Sequence, residues 1–220
     1  MKPTTFTPTF AQPVAVFEVD DHASLDQELL AHIYALKDRY DHSARTNKGG
    51  WRNRGNFFND SAPCVQALSG KIKEAAISFL QACQVEASLE GARVSLTGWS
   101  NVNEQGHYNA PHRHLGVDVC GCYYVSQPST DNLSTGNIEF LDNRNVIPLQ
   151  QRFGGPVFRT SLPLRPAPGQ LVVFPSFLTH WVPPNQSNEA RVVIAWNAMV
   201  ETVADRESKA QQRARRSGRN

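Results

Sequence analysis

Cysteine is scarce in this chain, and no two cysteines are spaced as CxxC. The four present are Cys64, Cys83, Cys120 and Cys122. Cys120-Gly-Cys122 falls on one strand and is poorly placed for a disulfide, so all four read as free thiols packed as small apolar groups in a reducing cytosol. No apolar run approaches the roughly 20 residues that a membrane span needs. The opening residues, MKPTTFTPTF, lack the continuous apolar core of a signal peptide. The expectation is a soluble, cytoplasmic protein without a membrane partner. An excess of one charge is also missing, because 22 Lys and Arg stand against 20 Asp and Glu. Much of the positive charge lies in the last fifteen residues. Neither nucleic acid nor a membrane surface is therefore indicated as a partner. No internal repeat is found.

What is present is ordinary globular material. With 220 residues, 40% hydrophobic and 19% charged, the chain suits one domain with a real core. Phe10 to Val19 alternates enough for an early strand. Ser24, with Gln27 three residues on, fits a capping box. The helix it opens runs to Tyr40 and repeats Leu25, Leu29, Ile33 and Leu36 on one face. Tyr40 to Asn59 is polar and glycine-rich and reads as loop. A second helix begins after Ser61 or Pro63 and runs to about Val85, with Val65, Leu68, Ile72, Ala75, Ala76, Phe79, Leu80 and Cys83 as its apolar stripe. From Arg93 onward strands alternate with Gly, Pro, Asn and Ser turns. The class is α+β, mainly β: a jelly-roll, cupin-like barrel backed by N-terminal helices. Residues 1–204 are expected to form a single jelly-roll domain with an N-terminal helical part, and 205–220 a basic, flexible tail, either a frayed helix or disordered.

The chemistry centres on Trp99 to Val125, which carries His112 and His114 one residue apart. Residues two apart on an extended strand point to the same face, so both imidazoles can close on a single ion. Gly169 to Met199 adds a third histidine, His180, and then Arg191 at the head of an apolar strand. Imidazole suits Fe, Zn, Cu and Ni, so ligand type alone does not choose the metal. His107 reads as a loop histidine with no metal role. His112, His114, Gly116, Asp118, Cys120, Cys122 and Tyr124 share parity, so an unbroken strand sends all of them inward. That makes Asp118 a reserve ligand, unless a bend at Gly116 breaks the count.

Several blocks recur in order: GGW (Gly49–Trp51), W-x-N-V-N-x-x-G-x-Y-N (Trp99–Asn109) and H-x-H (His112–His114). G-x-Y-Y-V (Gly121–Val125), G-x-I-x-F-x-D (Gly136–Asp142), G-x-L-V-V-F-P-S-x-x-x-H (Gly169–His180) and R-x-x-I-A-x-N (Arg191–Asn197) follow. With these blocks, across about two-thirds of its length, the chain resembles a family of 2-oxoglutarate-Fe(II) oxygenases, many of them bacterial or phage-encoded. The resemblance implies a double-stranded β-helix with His112, His114 and His180 around Fe(II). It implies that Arg191, eleven residues beyond His180, binds the far carboxylate of the cosubstrate 2-oxoglutarate. A guanidinium suits that task, since it grips a carboxylate through two parallel hydrogen bonds. Tyr124 occupies a place like that of a tyrosine in prolyl hydroxylases which hydrogen-bonds the same carboxylate, and Asn103 is a further candidate of this sort. The implied reaction is a dioxygenase hydroxylation that releases succinate and CO2. One departure is plain: better-known members have H-x-D or H-x-E, and here the acidic place is His114.

Two rival readings share the architecture. A cupin would bind metal through His112, His114, Asp118 and His180 without 2-oxoglutarate. A non-enzymatic jelly roll would leave the histidines solvated. The substrate, a small molecule or a peptide, is not named by residue type. Trp51, Arg52, Arg54, Phe57, His107, Arg144 and Trp181 are candidates to line the mouth.

Overall fold

Two hydrophobic periods run through the chain, and each builds its own layer. In the computed structural model, which describes residues 4–5, 12–41, 46–130, 132, 134–142 and 159–217, the helical period gives helices and the period of two gives sheets. Helix α1 spans His22–Arg39 and α2 spans Pro63–Ala82, the proline sitting in the first turn where its missing N–H costs nothing. The strands are β1 (Ala15–Glu18), β2 (Asn47–Lys48), β3 (Trp51–Arg52), β4 (Arg93–Asn103), β5 (Tyr108–His112) and β6 (Val119–Ser126). They continue with β7 (Ile138–Leu141), β8 (Ser161–Leu164), β9 (Gln170–Pro175), β10 (His180–Val182) and β11 (Arg191–Glu201). A third helix, α3, covers Val203–Ser217.

The sheets are ordered β1-β9-β6-β11-β4-β3 and β2-β5-β10-β7-β8, with antiparallel pairing throughout the described strands. From β4 to β6 and from β8 to β11 each strand crosses to the opposite sheet from its predecessor. Neighbours in space are therefore distant in sequence, as a double-stranded β-helix requires. The long strand β11 is the spine, paired along its whole length with β4 and over Val192–Ala198 with β6.

Alternation on β6 divides the interior in two. Val119, Tyr123 and Val125 face the helices and join Leu29, Ile33, Leu68, Ile72 and Trp196 in the larger core. Cys120, Cys122 and Tyr124 face the other sheet and join Phe140, Phe174 and Val193 in a smaller one. The four cysteines are unpaired thiols, as the sequence suggests. The helices thus back the six-stranded sheet, and the space between the sheets is left for the site.

Helix α1 begins earlier than its capping box implies. Its N-cap is Asp21, with φ 52°, and no side-chain cap is made. Tertiary contact decides the start: His22 bonds Asp26 one turn on at 2.6 Å and packs on the turn at Gly169, where a Cβ would lie 2.2 Å from its ring. The buried Asp26 also accepts from the Tyr123 hydroxyl at 2.6 Å, which ties α1 to β6. Replacing Tyr123 with Phe leaves one Asp26 oxygen without that donor. The expected loss is about 1–3 kcal/mol in urea unfolding, with no change at the site on the opposite face of β6.

The early strand covers Ala15–Glu18, the earlier part of the expected stretch at Phe10 and Ala11 lying outside the described residues. The segment read as loop contains the short strands β2 and β3 and a 3-10 turn at Phe57–Asn59. Where the sequence suggests a flexible basic end, residues 203–217 are helical. Thr202 and Asp205 form a reciprocal cap: the Thr202 N–H donates to Asp205 Oδ2 at 2.9 Å and the Asp205 N–H to Thr202 Oγ1 at 3.1 Å. Arg206 then donates to the carbonyls of Glu201 and Gly91. No helix among the described residues is long and apolar enough to cross a membrane.

Candidate metal centre

His112 closes β5 and His180 opens β10, and the two stand opposite each other in the β5–β10 register. Opposed residues of an antiparallel pair share a face, and here the ring centroids are 4.4 Å apart. His114 lies just past β5, where its N–H donates to the Ser176 carbonyl at 2.9 Å. Its ring sits 5.1 Å from His112 and 5.3 Å from His180. One nitrogen from each of the three falls within 4.8 Å of the others, the only such group found among the described residues.

The donor set fits a transition metal. His112 Nδ1 is 2.7 Å from the Ala110 carbonyl and His180 Nδ1 is 3.0 Å from the Leu178 carbonyl. A carbonyl only accepts, so Nδ1 carries the proton and Nε2 keeps its lone pair for an ion. The His114 ring lies parallel to Trp99, centroids 5.8 Å apart, and the neighbouring Asn197 side-chain oxygen accepts from the Cys120 thiol at 3.3 Å. Burial pushes all three imidazoles below their ordinary range, His114 to about 4 and His180 to about 3. They are neutral at pH 7, the form that binds metal, so no proton has to be displaced.

Asp118 stands outside this group. β5 ends at His112 and β6 starts at Val119, and the intervening turn has Gly116 at φ 81°, so parity does not carry across. The exposed Asp118 carboxylate instead accepts from the Val200 N–H at 2.7 Å. The reserve-ligand role, and with it the four-ligand cupin set, is not what this geometry assembles.

Arg191, the first residue of β11, lines the same cavity and is only 2% exposed. Its Nη2 donates to the Tyr124 hydroxyl at 3.1 Å and its Nε to the Gly136 carbonyl at 3.4 Å. Among the described residues no carboxylate pairs with it. Tyr124 is fully buried, and burial pushes its phenol above the usual range, so the hydroxyl keeps its proton. A buried cation without a counter-charge is costly. Its presence beside three neutral metal ligands marks a place built for an anion.

Asn103 is buried but does not line the cavity; its amide donates to Asn109 Oδ1 at 2.8 Å. Asn101 and Asn109 are the asparagines on the wall, with Thr46 and Trp99. Sequence reasoning passed over Trp99 and Asn101, although both share the parity of Asn103 on β4. Trp99 lies parallel to His114, centroids 5.8 Å apart, and the Arg52 guanidinium carbon is 4.0 Å over the Trp99 ring. Of the other mouth candidates, Trp51 and Phe57 are buried in the larger core, and Arg54 is exposed. Trp181 donates to Glu139 at 2.7 Å. His107 accepts from the Glu104 N–H at 3.0 Å and faces a separate surface cleft with Lys37 and Tyr40. Arg144 lies outside the described residues.

Residues 97–197 match the model of the family described as "Putative 2OG-Fe(II) oxygenase". That stretch holds all three histidines, Tyr124 and Arg191. No curated protein matches the chain in sequence. Among solved structures, a Pseudomonas putida prolyl-4-hydroxylase is similar at TM-score 0.61 and 13% identity, over 86% of this chain and 92% of that one. A Trichoplax adhaerens prolyl hydroxylase, solved with a hypoxia inducible factor peptide fragment, gives 0.58 and 15% over 90% and 86%. HygX from Streptomyces hygroscopicus, solved with nickel, 2-oxoglutarate and hygromycin B, gives 0.55 and 11% over 86% and 83%. At such identities the likeness is one of fold, and the fold is the double-stranded β-helix of those oxygenases.

Proposed function

We infer that this chain is an Fe(II)- and 2-oxoglutarate-dependent oxygenase, an oxidoreductase of the family whose model spans residues 97–197. The observation that carries the reading is the pairing, in one cavity, of three neutral imidazoles with a buried guanidinium that no carboxylate neutralises. His112, His114 and His180 would hold the iron. Arg191 would take the far carboxylate of 2-oxoglutarate, with the Tyr124 hydroxyl as second donor, because its proton has no acceptor among the described residues. Iron with 2-oxoglutarate and oxygen supplies an oxidant able to hydroxylate a C–H bond, releasing succinate and CO2.

The chain's own part is binding, orientation and exclusion of water. The carbonyls of Ala110 and Leu178 fix two ligand rings, and the third, His114, lies parallel to the Trp99 ring. Cys120, Cys122, Phe174, Val193 and Ala195 make much of the remaining wall, keeping the site dry. With Cys122 pushed up to about 11 by burial, this wall offers neutral thiol rather than thiolate to the metal. A cupin-type metalloenzyme without 2-oxoglutarate would leave the burial of Arg191 unexplained. A non-enzymatic jelly roll would leave the converging histidines unexplained.

The test is anaerobic addition of Fe(II) and 2-oxoglutarate to metal-free protein. A visible metal-to-ligand charge-transfer band is expected, followed by succinate release on admitting oxygen; no band at any concentration rejects the reading. Tyr124→Phe should weaken 2-oxoglutarate about 5- to 10-fold in that titration, the worth of one hydrogen bond, while iron affinity holds. The substrate is taken to be a small molecule or a peptide. A cytoplasmic setting is supported by the four unpaired cysteines.

A further inference from the structure

The cavity wall holds two amides that neither the metal centre nor Arg191 uses. Asn101 on β4 and Asn109 on β5 both line it, and they are only 3% and 7% exposed. In each the side-chain oxygen is already engaged. Asn47 Nδ2 donates to the Trp51 carbonyl at 3.3 Å and to Asn101 Oδ1 at 3.4 Å, and Asn103 Nδ2 donates to Asn109 Oδ1 at 2.8 Å. A carbonyl only accepts, so Trp51 fixes which way round Asn47 lies, and Asn47 fixes Asn101. The Asn101 and Asn109 N–H groups are what remain. Neither nitrogen has an acceptor among the described residues, and neither is sealed from the cavity. The cost falls behind the wall, where Asn47 Oδ1 and Asn103 Oδ1 are buried without a partner. Gly50 makes room for both: a Cβ there would lie 2.5 Å from Asn103 Oδ1 and 2.6 Å from Asn47 Oδ1.

Strand register says which end of the cavity these donors serve. Arg191 stands opposite Asn103, and Val193 stands between Asn101 on one side and Tyr124 on the other. Asn101 is thus in the row of Tyr124, whose hydroxyl meets Arg191, and Asn109 is tied to Asn103, the cross-strand neighbour of Arg191. Both amides belong to the Arg191 end. A carboxylate has about four acceptor positions and no donor, which suits a wall that presents N–H groups only. Resting on the 2-oxoglutarate reading, we propose that Asn101 and Asn109 complete the grip on the far carboxylate of the cosubstrate. Asn47 and Asn103 do not line the cavity. They are positioning residues that keep the two N–H groups turned inward, so the preference for a dicarboxylate is set partly from behind the wall.

The test loads the protein anaerobically with Fe(II) and titrates it with 2-oxoglutarate or with 2-oxopentanoate, which has a methyl group in place of the far carboxylate. Binding is read from the charge-transfer band and independently from the melting temperature. Asn101→Leu and Asn109→Leu should each weaken 2-oxoglutarate about tenfold or more, the worth of one N–H donor on a charged oxygen, and leave 2-oxopentanoate within about twofold. Asn103→Leu should show the same split, whereas a general loosening of the fold would weaken both acids. Combined with Asn109→Leu it should bring no further loss, as for two residues acting through one contact. Asn103→Thr, which suits a strand, serves if Asn103→Leu does not fold. The proposal is overturned if Asn101→Leu and Asn109→Leu keep full affinity for 2-oxoglutarate, since the amides would then serve the substrate. It is overturned equally if 2-oxopentanoate falls as far as 2-oxoglutarate, or if the losses at Asn103 and Asn109 add. Absence of the band in the unaltered protein is a different failure, which brings down the oxygenase reading and this proposal with it.

Discussion

Protein with His180→Ala should bind iron at least ~100-fold more weakly, a loss exceeding what removal of a supporting residue costs. The charge-transfer band should be missing at concentrations that saturate the unaltered protein. The size of the effect follows from the position. His180 is 4% exposed, its Nδ1 is bound to the Leu178 carbonyl, and its ring stacks on His114 at 5.3 Å and lies tilted to His112 at 4.4 Å. No carboxylate in the cavity can replace it, because none lines the wall among the described residues and Asp118 is engaged at Val200. The fold should survive. β10 is short, and its pairing with β5 and β7 uses backbone groups that the substitution keeps. Circular dichroism and a melting curve on the variant check this. Retention of iron at unaltered affinity would show that the three rings do not share an ion.

Arg191→Met should separate stability from function in opposite directions. Binding of 2-oxoglutarate should weaken by about 2–5 kcal/mol, the usual cost of truncating one partner of a buried, hydrogen-bonded charge pair. That is a fall of roughly 30- to 4,000-fold. Iron binding without cosubstrate should change little. The metal-free, cosubstrate-free protein should at the same time unfold at a higher temperature, because Arg191 is 2% exposed and no carboxylate among the described residues balances it. Replacing an unbalanced buried charge with an apolar side chain of similar reach removes a desolvation penalty, the familiar trade of stability for activity at a working site. Titration of the band with 2-oxoglutarate and scanning calorimetry of the bare protein measure the two effects. A destabilised variant with intact cosubstrate affinity would make Arg191 a structural residue instead.

Local pattern carried much of this molecule. The stripe from Val65 to Phe79 specified α2, because a 3.6-residue repeat has one solution as a surface helix. His112 with His114 ahead of His180 and Arg191 named residues that the fold brings together in one cavity. The helix at the C-terminal end was not read as one, although Thr202 and Asp205 supply its cap.

What the chain alone could not decide was register and which neighbour lies across a gap. That His180 faces His112 is a fact of β5–β10 pairing between residues 68 positions apart, and strand pairing is set by the assembled sheet. The start of α1 was misread for the same reason, the His22 contact with the Gly169 turn outweighing a local cap. Asp118 turned outward because one turn between two strands resets parity, and parity holds only within an unbroken strand. Arg52 over Trp99 joins β3 to β4, a contact invisible in either segment. Composition and period determined the layers and the kinds of atom in the site. Only packing determined which of those atoms meet, because contact depends on three-dimensional distance and sequence records only order.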